Sequence, residues 1–145
     1  LLAFCVEAGR LSYARALLQA VADHAALGAV QELDFDALPE GTINLKQQKA
    51  RTTAHTYITE NCRRLGLGNW LVASTVRVKV YNAQPAATLR NEWTGRRLEY
   101  PTVCILMQAE FEPVLPLTQF ATGLDGGPEL TVMVHADASV EPRER

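Results

Sequence analysis

Three histidines, three cysteines and a short acidic loop are the residues of this 145-residue chain whose chemistry could reach beyond packing. His24, His55 and His135 are far apart, and no cysteine or carboxylate stands beside them at metal-ligand spacing. The H-E-x-x-H helix of a metalloprotease is absent. Cys5, Cys62 and Cys104 form no C-x-x-C pair, so neither a zinc site nor a redox motif is suggested, and an odd count prevents complete pairing within the chain. Asp34, Asp36 and Glu40 offer hard oxygen ligands of the kind calcium takes, but without the spacing of an EF-hand they read as a solvated acidic loop. Gly66-Leu67-Gly68 precedes a strand pattern instead of a helix, which makes it a turn and not a dinucleotide fingerprint. No Gly-x-Ser-x-Gly elbow and no phosphate-cradling loop occurs. The sequence therefore offers no catalytic set, no metal site and no cofactor site.

Composition narrows the classes further. Hydrophobic residues make up 48% and charged residues 21%, which suits a compact domain with a real core and excludes disorder. Fourteen basic residues are scattered among 16 acidic ones, for a net charge of -2. Without a sustained positive patch, nucleic acid is not an expected partner.

The elements that must carry any function follow from periodicity. Residues 1–33 contain no proline and are rich in Ala and Leu, which predicts one long helix. Leu11, Ala14, Leu18, Val21, Ala25 and Gly28 recur at spacings of three and four and form one seam. Arg15, Gln19 and Asp23 form a polar line, and the many alanines, Ala16 and Ala20 among them, make the rod slim enough for close packing. Residues 34–145 read as the globular part. After the punctuation of Asp34 to Gly41 a second helix is expected, capped by Asn44, with Leu45, Ala50, Ala54, Tyr57, Ile58, Cys62 and Leu65 on one face and glycines 66 and 68 at its end.

Beyond Gly68 the period changes to two. Val76, Val78 and Val80 alternate with polar residues, as do Val103, Ile105, Met107, Ala109 and Phe111, and then Leu130, Val132, Val134, Ala136, Ala138 and Val140. A hairpin is predicted around Thr94-Gly95. Leu115 to Phe120 reads as a loop or short helix between prolines, and Asp125-Gly126-Gly127-Pro128 as a strand-entry turn. Helices first and strands last predict an α+β fold, with both helices packed on an antiparallel sheet in a pilin-like arrangement.

The amino-terminal stretch carries a more specific pattern. Gly9-Arg10, Ala14-Arg15, Leu18-Gln19, and Asp23 with Ala25-Ala26-Leu27, follow an apolar run and the acidic Glu7. This segment resembles the TadE/TadG-like family of the bacterial Tad, or Flp, pilus-assembly system. Glu7 stands where an Asp is more usual, and His24 and Gly28 where Ala is common. The match covers the first fifth of the chain.

The resemblance implies a structural subunit or minor pilin, closer to a TadE-like protein, since 145 residues leave no room for the adhesive von Willebrand-type domain that TadG-like proteins can carry. It also implies an extracytoplasmic domain anchored in the inner membrane, other pilin subunits as partners, and no enzymatic activity. An apolar segment ahead of Leu1 is expected to join Leu1–Val6 in a membrane helix. Glu7 and Arg10, three apart, can neutralise each other near a membrane surface. The assembly interface is expected at Glu7, Ala8, Arg10, Leu11, Ala14, Leu18, Val21 and Ala25. The amino-terminal half of this seam would face partners and the later half the chain's own sheet. Export would favour a disulfide, for which Cys62 and Cys104 are the expected pair, with Cys5 at the membrane. A membrane-anchored adhesin or binding module is the alternative reading.

Overall fold

The computed structural model describes residues 2–67, 71–82, 89–111 and 130–141. The expected α+β order is present. Helix α1 (Leu2–Ala29) and helix α2 (Gln47–Arg64) are followed by strands β1 (Leu71–Tyr81), β2 (Leu89–Arg90), β3 (Arg97–Leu98), β4 (Thr102–Phe111) and β5 (Leu130–Ser139). Strands β1, β4 and β5 form an antiparallel sheet with β4 in the centre, while β2 pairs with β3 and, among the described residues, with no other strand. The readings at Leu115–Phe120 and Asp125–Pro128 lie outside the described residues.

Alternation along the strands gives the sheet two unlike faces. Register aligns Val80, Val103 and Ala138 in one row, Val78, Ile105 and Ala136 in the next, and Val76, Met107 and Val134 in a third. This inner face meets Ala14, Leu18, Val21, Ala22, Ala25 and Ala26 of α1 and Ala50, Ala54 and Ile58 of α2 in one continuous core. Alanines on both surfaces leave room for the helix to lie close to the sheet. From Leu11 to Ala29, α1 thus shares a core with the sheet and forms a wall of the domain.

Helix α2 lies beside α1. At Gly28 an added Cβ would come within 2.9 Å of Tyr57 Cε2, so the aromatic ring sits where a larger residue would intrude. Tyr57 and Leu65, expected on the buried face, are 45% exposed, whereas Ala50, Ala54 and Ile58 are buried as expected. Asn44 does not cap the helix. It lies ahead of Lys46, the residue preceding the first turn, which offers no side-chain cap. The Asn44 carbonyl instead accepts the Asp34 amide at 2.8 Å, and Leu33 bridges Leu45, closing the intervening loop at its base.

Lys46 reaches Asp34 at 3.9 Å and Asp36 at 3.5 Å, so a lysine answers the charge of the acidic loop. Beside it, Glu32 accepts from Lys49 at 2.8 Å and from Thr53 at 2.8 Å, and these hydrogen bonds hold its carboxyl below the usual carboxylate range.

Candidate functional site

Two regions carry features that packing alone does not use: the exposed side of α1 and the outer face of the sheet.

On α1, the residues expected to meet partners divide by burial. Ala14, Leu18, Val21 and Ala25 are 0–1% exposed and lie in the chain's own core, and Leu11 packs against the same core. Leu18, Val21 and Ala25 thus meet the sheet of the same molecule, as expected of the later half of the seam, whereas for Leu11 and Ala14 the structure corrects the expected partner-facing role, since they pack on that core as well. Glu7 and Arg10 form their expected ion pair at 3.0 Å, and the Arg10 guanidinium also lies 5.4 Å from the centre of the Phe111 ring, at the end of β4. The Glu7 side chain itself is only 14% exposed. Ala8 is exposed.

Ahead of Glu7 the helix is apolar and uncovered, with Leu2 81%, Phe4 68% and Val6 49% exposed. Opposite the core seam, Cys5, Gly9, Ser12, Ala16 and Ala20 are all exposed. Their spacings of four, three, four and four keep them in one line on an α-helix. A Cβ added at Gly9 would meet no atom of the domain within 4 Å. The line was legible as spacing, but only the burial of the opposite seam shows which face is left free.

On the outer face of the sheet, the small hairpin of β2 and β3 is fastened by Asn91, whose side chain is wholly buried. Its Oδ1 accepts from the Trp93 amide at 2.8 Å and from the Thr94 amide at 3.3 Å, which fixes the orientation of the carboxamide. Its Nδ2 then points at the sheet, 3.0 Å from Asp137 Oδ1, 3.0 Å from His135 Nε2 and 3.3 Å from Cys104 Sγ. His135 Nε2 lies 3.1 Å from Asp137 Oδ1. Lys79 pairs with Glu92, and the Trp93 ring meets His135 edge-on.

Cysteine, histidine and aspartate together are a transition-metal ligand set, but the amide nitrogen of Asn91 occupies the point on which they converge. Among the described residues no group of three such side chains could hold a metal ion. Burial, followed by the hydrogen bond and charge of Asp137, pushes the Cys104 thiol far above its usual range, and a protonated thiol does not attack.

The chain finds no match among family models, curated proteins or solved structures. Any functional reading therefore rests on these residues and their geometry.

The expected Cys62–Cys104 disulfide is corrected here. Both thiols are free, as is that of Cys5. Cys62 packs against the inner core, whereas Cys104 points to the outer face beneath Asn91, so the central sheet separates them. Sequence reasoning also missed the cluster itself. His135 and Asp137 stand two apart in a strand, a spacing that puts both on one face. Cys104 and Asn91 join them only through strand register and the fold of the hairpin, neither of which the sequence displays.

One consequence concerns alkaline stability. Because folding raises the Cys104 pKa, the native state keeps a proton that the unfolded state releases as pH climbs past the ordinary thiol range, near about 8.5. Stability from this source is complete below that pH and declines above it. Urea midpoints measured from pH 8 to pH 10 should fall more steeply for the natural protein than for Cys104→Ser. Equal slopes would contradict the assignment.

Proposed function

We propose that this protein is a structural, pilin-like subunit of a bacterial Tad/Flp-type pilus, held in the assembly by α1. One side of the helix carries its own domain and the other packs against neighbouring subunits. The observation that carries this reading is the uncovered apolar end of α1: Leu2, Phe4 and Val6 stand in solvent on a helix whose later turns are tightly packed. Water is a poor environment for such a segment, and neighbouring helices or a bilayer would cover it. Small residues at Cys5, Gly9, Ser12, Ala16 and Ala20 permit close lateral approach by another helix. The Glu7–Arg10 pair is placed to meet an apolar boundary without presenting a net charge.

Among the described residues no helix is long and apolar enough to cross a membrane. In this proposal an apolar continuation ahead of Leu1 completes the anchor, and the domain lies outside the cytoplasm. The role is assembly and not catalysis, and its partners are other pilin or minor pilin subunits.

The test is to shear and purify surface filaments from cells expressing the full gene product and to probe them for this chain. The proposal expects the chain to be present and to withstand washes that remove loosely bound protein. Recovery solely as an unassembled protein would refute it and favour an anchored binding module.

A further inference from the structure

We propose that the hairpin of β2 and β3 is a strap that opens and closes over the outer face of the sheet while the rest of the fold stays intact, with Asn91 as the pin that holds it shut. Its strands are two residues each and, among the described residues, pair with one another and not with the main sheet. A two-stranded hairpin of this size is marginal by itself in water, so its closed position depends on what fastens it.

The fastenings are mostly polar. Besides the Asn91 cluster they comprise the Lys79–Glu92 pair, the Glu92 amide donating to the Tyr81 hydroxyl at 3.3 Å, and the edge-on contact of Trp93 with His135. Leu89, Trp93 and Leu98, the large apolar side chains of the hairpin, are half-buried and none belongs to the core on the inner face. Opening leaves the inner core buried, and most of the released polar groups regain hydrogen bonds from water. Global unfolding must instead expose the whole contact of α1 and α2 with the sheet. Local opening at a cost well below that of global unfolding is the expected behaviour of such an element.

Asn91 is the fastening that also shapes the turn of the strap itself. Its oxygen organises the turn of the strap through Trp93 and Thr94, while its nitrogen engages two strands of the sheet through Cys104 on β4 and through His135 and Asp137 on β5. Beneath it, Cys104 is fully buried. Opening the strap uncovers this thiol together with His135 and Asp137, so Cys104 is a built-in reporter of the open state.

The experiment treats the full-length protein with iodoacetamide under native conditions and follows each cysteine by mass spectrometry across urea concentrations below the unfolding transition. Cys104 is expected to react slowly, at a rate that changes little with urea. Asn91→Ala should raise that rate at least tenfold. Glu92→Lys, which sets two cations against each other without touching the buried cluster, should raise it several-fold with the urea midpoint unchanged. If Asn91→Ala fails to fold, Glu92→Lys decides the matter. A Cys104 rate that climbs with urea as steeply as global unfolding, or one that Glu92→Lys leaves unaltered, would overturn the proposal.

Discussion

Ala14→Arg is expected to leave the protein without a cooperative fold. Ala14 is 0% exposed, on the side of α1 that faces the sheet, with no room for a longer side chain. Forcing extra atoms into a packed core costs about 1–3 kcal/mol, and an unpaired buried charge about 3–5 kcal/mol more. Together these approach the entire stability of a typical domain, about 5–15 kcal/mol. Far-ultraviolet circular dichroism with thermal melting checks the outcome: the transition should be lost or shifted down by tens of degrees. A melt close to that of the natural protein would mean that this turn of α1 does not lie against its own sheet.

Gly9→Leu is expected to do the reverse, leaving the domain folded while abolishing assembly. A Cβ added at Gly9 meets nothing within 4 Å outside its own turn of helix, and replacing a helical glycine removes a penalty of roughly 0.5–1 kcal/mol. The melting temperature should hold steady or rise slightly. Any damage must then arise at a neighbour, where a branched side chain would keep two helices apart along the line of Cys5, Gly9 and Ser12. Ala8→Arg, also at an exposed position, should behave alike by placing a charge on the same flank. Filament yield per cell, measured beside the melting temperature of the purified protein, checks both halves. Undiminished filaments with normal folding would remove this flank from the interface.

The contrast between these substitutions shows what the sequence could convey. The seam through Leu11, Ala14, Leu18, Val21 and Ala25 was legible from its spacing because a helix that must bury one stripe repeats its apolar residues every three or four positions. What buries the stripe at Leu11 and Ala14 was not legible, since a sheet of the same chain and a helix of another chain demand the same pattern. In β4, alternation correctly placed Val103, Ile105 and Met107 on one face, and by the same logic it sent Cys104 to the other, away from Cys62. The hairpin turn was marked by Thr94-Gly95, and Gly95 adopts the positive φ of 71° that favours glycine. Nothing local told that Asn91 would reach across to Cys104, His135 and Asp137, because that contact depends on where the hairpin folds over the sheet. Asn44 misled as well. The helix starts later than the spacing suggested, with Lys46 at the capping position, so a good capping residue stands two positions too early.

The central claim is that the exposed side of α1 touches neighbouring subunits. A photo-activated crosslinking residue placed at Ser12, on that side, and separately at Thr56, on the exposed polar side of α2, tests it in intact cells making the full-length protein. The account predicts that illumination joins the Ser12 variant to other subunits in a ladder of products while the Thr56 variant stays largely unlinked. No ladder from Ser12, or a ladder from Thr56 alone, would contradict it.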